Sequence, residues 1–151
     1  MEYYPTEIIP NLWFGNITSS TNNDFKSLIT VNNLINCEKD LHYLGNYKEY
    51  NEPLKKNFQM FEINKMDEYL DECTEFININ LKNNNTVFVL CDNGTQKSPT
   101  IILAYLIRYA KLSIESAIKC IKTKNNKVFY PSIEYIYSIK KFYERYNKIS
   151  L

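Results

Sequence analysis

The chain has 151 residues, and 18 Lys and Arg offset 17 Asp and Glu to a net charge of +1. That balance gives no basic field for nucleic acid, and no run is long and apolar enough to span a bilayer. Residues 1–10 lack the basic and apolar regions of a signal peptide, and Glu2 excludes a myristoylation motif. Four cysteines, Cys37, Cys73, Cys91 and Cys120, follow no C-x-x-C spacing and suit reduced thiols. The length suits one domain over residues 1–151. The expectation is an intracellular, cytoplasmic protein, with the nucleus also open to it. It should need no metal or cofactor and have no nucleic acid or membrane partner.

In chain order, residues 7–9 and 12–14 read as two short strands around the turn pair Pro10–Asn11. Residues 24–28 form a short helix and 29–35 a strand that sends Leu34 and Ile35 into the core. Residues 37–57 carry mixed charge, aromatics, Gly45 and Pro53 with no period, and are expected to be a long excursion. Residues 58–63 are a further strand. Over 68–81 the spacing predicts a helix with Leu70, Phe76, Ile77 and Leu81 inward and Asp71, Glu72 and Glu75 in water. Asp67 is placed to cap it.

Residues 86–90 are a β-branched and aromatic run fit for a buried strand. The loop 91–97 follows, with Gly94 inside it. Ser98–Pro99 reads as an N-cap with proline in the first helical position, opening an apolar helix. Ser113 caps a second helix, with Ile114, Ala117, Ile118 and Ile121 at helical spacing. Ser132 caps a third over 133–146, with Ile136, Ile139 and Tyr143 on one stripe. Strands alternating with helices, then a helical C-terminal third, predict an α/β sandwich rather than a bundle.

A strand, a tight loop and a helix N-terminus together make an anion site, because loop N–H groups and the helix dipole converge on one point. Cys91 stands at the strand end beside that point, where a thiolate is favoured and can act as a nucleophile. At these residues the chain resembles the dual-specificity protein phosphatases, cysteine-dependent enzymes with the signature H-C-x5-R-[ST]. The signature positions read Leu90, Cys91, DNGTQ, Lys97 and Ser98, and Gly94 falls at the family's glycine. SPT followed by AYLIR, and the early run IIPNLWFGN, are also similar to that family. The resemblance covers about residues 8–146.

The resemblance implies a central, mostly parallel, twisted sheet flanked by helices. It implies that Cys91 attacks phosphorus and that the amides of Asp92, Asn93, Gly94, Thr95 and Gln96, with Lys97, hold the phosphate. Ser98 would stabilise the departing thiolate, and an aspartate on another loop would protonate the leaving oxygen. Asn64 stands nearest that place, and Asp67 follows three residues later, as either acid or helix cap. The partner implied is a protein phosphorylated on Tyr, Ser or Thr, and no oligomeric state is implied.

Two positions depart from the signature. Lysine offers a point charge where arginine presents a planar fork to two oxygens. Losing such a clamp costs about 3–4 kcal/mol, or about 10²–10³ in rate. Leu90 cannot donate the hydrogen bond that the family's histidine gives the loop. Asp92 and Thr95 offer no extra lysine, which disfavours a lipid headgroup. Lys119, Lys122, Lys124 and Lys127 read as a solvated face, His42 as structural or exposed, and the tyrosines of 130–146 as packing surface. Three functions stand open. One is a pseudophosphatase that binds phosphoprotein or partner proteins; a second is a slow cysteine phosphatase using Lys97; the third is an interaction domain that binds no phosphate.

Overall fold

The computed structural model describes residues 5–16, 33–37, 56–59, 66–91 and 94–147. In chain order the elements are β1 (Thr6–Ile9), β2 (Leu12–Asn16), β3 (Asn33–Asn36), β4 (Lys56–Gln59), α1 (Met66–Lys82), β5 (Val87–Cys91), α2 (Lys97–Arg108), α3 (Ile114–Lys124) and α4 (Ile136–Tyr146). The expected helix over 24–28 and His42 lie outside the described residues, as do most of 37–57 and parts of the strands expected over 29–35 and 58–63.

The strands form one sheet in the order β1-β2-β5-β3-β4, with β1 antiparallel to β2 and every other pair parallel. The mostly parallel sheet is therefore present, and β5 is its middle strand. All five β5 residues are buried, as a strand covered on both faces requires. Alternation sorts them: Val87, Val89 and Cys91 join the main core with Leu12, Phe14 and Ile35. Phe88 and Leu90 are fully buried outside that cluster, on the opposite face of the sheet.

α2 is the helix around which the others pack. Every residue from Ser98 to Ile107 is buried, which marks a helix covered on all sides rather than an amphipathic one. α1, α3 and α4 all contact it. On α3, the Ser113 side chain accepts a hydrogen bond from the Ser116 N–H at 3.1 Å, the cap that the sequence suggests. α4 buries Ile139 and Phe142.

Two helix starts differ from expectation. α1 begins at Met66, so Asp67 lies inside its first turn and is not its N-cap. α4 begins at Ile136, not 133; Ser132 does not cap it, and Tyr135 occupies the cap position without a side-chain bond. Asp71 stays partly in water, as expected, but also has partners on α4. Its carboxylate accepts from the Tyr146 hydroxyl and pairs with Arg145 at 3.3 Å. At the end of α2, Arg108 donates to Asp71 O and Thr74 Oγ1, both at 3.0 Å, and stacks over Tyr146. These bonds latch α4 across α1 and α2, with tyrosine supplying both apolar area and a hydroxyl.

Among the described residues, no helix is long and apolar enough to cross a membrane. Phe142 is fully buried between α4 and the core. Replacing Phe142 by Ala should lower unfolding free energy by about 3–5 kcal/mol, read by denaturant titration of the purified domain. A loss under about 1 kcal/mol would mean that α4 contributes little to the core.

Candidate active site

Cys91 ends β5 with 1% of its surface exposed. Its sulfur accepts the Gly94 N–H at 3.1 Å and the Ser98 N–H at 3.4 Å. The thiol donates to Ser98 Oγ at 3.2 Å, and that hydroxyl donates to Gly15 O at 3.4 Å. Donors aimed at sulfur stabilise negative charge there, and the Ser98 hydroxyl can turn its proton toward a thiolate. Cys73 has the opposite surroundings: burial among apolar neighbours, with Glu72 adding to it, pushes its thiol far up.

The loop closes because position 94 is glycine. Its φ is +73°, a region that L side chains rarely adopt. A Cβ there would meet Gly15 C and Asn16 N at 3.0 Å, both backbone atoms at the end of β2. Asn16 is the register partner of Cys91, so Gly94 folds back onto the neighbouring strand beside the sulfur.

The helix after the loop starts earlier than its sequence suggests. α2 begins at Lys97, and Gln96 holds the cap position without a side-chain capping bond. Ser98 is therefore in the first turn and not the N-cap, because its hydroxyl is committed to Cys91 and Gly15. Pro99 sits in the same turn, where a missing N–H leaves no helical bond unmade. Lys97 is the half-buried first residue of α2. A cation at the positive end of a helix opposes the dipole, and suits the position when an anion lies between them.

Thr95 and Gln96 turn partly away from the sulfur. Thr95 O accepts the Phe129 N–H at 2.8 Å, and the Gln96 side chain bonds backbone groups of residues 130–134. Nothing in the sequence pattern marks that contact, since it joins residues more than thirty apart. Asp92, Asn93 and Asn64 lie outside the described residues.

Leu90 points away from Cys91 into the opposite face of the sheet, and its carbonyl accepts the Cys37 N–H at 2.9 Å. Asp67 bonds across to α4, with Lys141 Nζ at 3.3 Å from Oδ2. The Ser138 hydroxyl, then Lys141 and Arg145, hold its carboxyl below the usual carboxylate value against a smaller opposing effect of burial. A general acid must carry its proton near working pH, so this environment runs against that task.

The family model for the dual specificity phosphatase catalytic domain matches residues 12–145. The chain belongs to the dual specificity phosphatase family. It is similar to the "Putative tyrosine phosphatase 123R" of Invertebrate iridescent virus 6, with 27% identity over 142 residues and 91% of each chain covered. Human dual specificity protein phosphatase 1 is 25% identical over 140 residues, which are 91% of this chain and 37% of that protein. The chain thus spans little more than a third of the human relative. In three dimensions it resembles a leucine rich repeat and phosphatase domain containing protein from Entamoeba histolytica. That match has a TM-score of 0.77 at 17% identity, covers 97% of both chains, and speaks for the fold.

Two measurements check the loop around Cys91 and the setting of Asp67. Gly94→Ala should destabilise the domain by about 1–2 kcal/mol or more through the left-handed φ alone, and should slow alkylation of Cys91. Unchanged stability and thiol reactivity would mean that the loop does not need glycine. Asp67→Asn should cost under about 1 kcal/mol at neutral pH, since the pair is solvent-screened. The folded carboxyl lies below the ordinary aspartate value. That contribution is therefore present above the ordinary aspartate pKa and lost as pH falls through the lower folded one. A difference between the two proteins that persists in full well below this window would assign the effect to packing.

Proposed function

We propose that this domain is a pseudophosphatase. It binds the phosphoryl group of phosphorylated Tyr, Ser or Thr on a protein and turns it over poorly. The observation that carries this reading is the convergence of the Gly94 and Ser98 N–H groups on the Cys91 sulfur. These donors make the sulfur end of the loop electropositive, where an anion is favoured, and neither depends on the side chain at position 97. Cys91, Lys97 and Ser98, with the amides of 92–97, make up the proposed site, and residues 1–151 act as one domain. The free thiols suit a reducing compartment, the cytoplasm or nucleus.

Impairment follows from two departures from the signature, Lys97 and Leu90, and from the setting of Asp67. Lys97 keeps a charge but not the fork that would grip two equatorial oxygens of the transition state. Leu90 is committed to an apolar face. Asp67 is held as a carboxylate by α4, so the leaving oxygen lacks a proton donor from that residue.

The Cys91–Ser98 hydrogen bond favours a second reading, a slow cysteine phosphatase. In that reaction the Cys91 thiolate forms a bond to phosphorus as the ester oxygen leaves with the bonding pair. Water then displaces sulfur, and the Ser98 hydroxyl stabilises the released thiolate.

Turnover of p-nitrophenyl phosphate, whose leaving group needs little protonation, tests the impairment. The unmodified domain should stay far below an ordinary rate of about 1–10³ s⁻¹. Lys97→Arg should raise turnover by less than about 10²–10³, since Leu90 is still in place. Adding Leu90→His should raise it further, and Cys91→Ser should abolish it. Ordinary phosphatase rates in the unmodified domain would overturn the pseudophosphatase reading.

A further inference from the structure

A second set of contacts stands behind the loop. Gln96 is 7% exposed, and its side chain leaves the loop for the segment that follows α3. Nε2 donates to Ser132 O at 2.9 Å and to Tyr130 O at 3.4 Å, while Oε1 accepts the Glu134 N–H at 3.1 Å. One residue earlier, Thr95 O accepts the Phe129 N–H at 2.8 Å.

Phe129 is itself unusual. It is 3% exposed and has φ of +60°, a backbone region that bulky side chains rarely enter. Such a residue keeps that conformation only when its surroundings over-determine it, and the loop is one wall of those surroundings. The Gln96 backbone does a different job. Its carbonyl accepts both the Thr100 N–H at 3.0 Å and the Thr100 hydroxyl at 2.6 Å, so it opens α2. One residue thus fixes the first turn of the helix and the 129–134 segment together.

Satisfying the polar backbone of an irregular turn is one task that a buried glutamine performs. The position of Gln96 argues for more. It lies between Gly94 and Ser98, the two residues whose N–H groups meet at the Cys91 sulfur. A shift of its backbone by a few tenths of an ångström moves the Ser98 amide, two residues on, and hydrogen bonds weaken steeply with angle.

We infer that Gln96 is a positioning residue for the anion site: its side chain anchors the loop to the 129–134 segment and so sets where the Gly94 and Ser98 amides point. The inference rests on the phosphate-binding reading above for its ligand, a phosphate monoester dianion, but not for its geometry.

The test compares Gln96→Met, which keeps length and volume, with a Thr74→Val control. Thr74 is as deeply buried and bonds Leu70 O and Arg108, away from the loop. Carboxymethylation of Cys91 by iodoacetate, followed across pH by mass spectrometry, reads the sulfur's surroundings. Calorimetry with tungstate reads the anion site. Gln96→Met should move the alkylation profile toward higher pH and weaken tungstate by about tenfold, as one or two displaced donors imply. Thr74→Val should do neither at a matched loss of melting temperature. A folded Gln96→Met protein with the profile of the unmodified domain would overturn the inference.

Should that variant fail to fold, amide exchange in the unmodified domain decides. The Gly94, Ser98, Phe129 and Glu134 amides should lose protection together as denaturant is raised. Loop amides that open apart from Phe129 and Glu134 would overturn it equally. If the unmodified domain binds no tungstate, the phosphate reading falls while the alkylation profile still decides the role of Gln96.

Discussion

The constraint on which the site depends is the approach of Gly94 to the end of β2. With backbone atoms of Gly15 and Asn16 at 3.0 Å from where a Cβ would stand, the chain can turn there only without a side chain. That turn aims the Gly94 N–H at the Cys91 sulfur, and the first turn of α2 supplies the Ser98 N–H from the other side. β5 delivers the sulfur, β2 supplies the surface the loop leans on, and α2 supplies a dipole. The parallel pairing of β2 with β5 holds the three together, because Asn16 and Cys91 are register partners. The buried middle of the fold is in this sense a support for one loop.

Binding and turnover make separate demands on such a loop. Binding an oxyanion needs inward N–H groups and a positive field, both of which come from backbone. Turnover further needs groups that act more strongly on the transition state than on the ground state. Two of the side chains that would serve it, Lys97 and Leu90, depart from the family signature. Lys97 retains charge without a planar fork. Leu90 occupies an apolar face, where its burial stabilises the sheet and offers the loop no donor. Asp67 pairs across to Lys141 of α4. None of these side chains forms the backbone cradle, so the N–H groups that meet at the Cys91 sulfur do not depend on them.

Much of this was legible in the sequence because the relevant forces are local. β-branched and aromatic runs place β2 and β5, and helical spacing places α1, α3 and most of α4. The Ser113 cap follows from a serine directly before a periodic run. The family resemblance, carried by Cys91, Gly94 and Ser98, placed the loop. Where local reading misled, a tertiary contact had claimed the side chain. Ser98 looks like a cap in isolation, yet its hydroxyl is taken by Cys91 and Gly15 O. Asp67 sits where a cap would, but α1 begins before it and Lys141 meets its carboxylate. Asp71 is half-exposed as its helical position suggests, but its pairing with Tyr146 and Arg145, more than seventy residues on, is not legible locally. Gln96 leaves no sequence signal, because its partners are backbone groups of a turn more than thirty residues away.

The central claim is that a phosphate-binding loop persists without an arginine clamp. Titration of the isotopically labelled domain with tungstate, followed by backbone amide shifts, tests it most directly. Saturable shifts should appear at residues 92–98 at or below millimolar tungstate, with Gly94 and Ser98 among the largest. They should persist when Lys97 is replaced by Met, with affinity reduced and not abolished. A domain whose loop amides stay unmoved at millimolar tungstate would contradict the claim and leave a fold that keeps the family's architecture without its ligand.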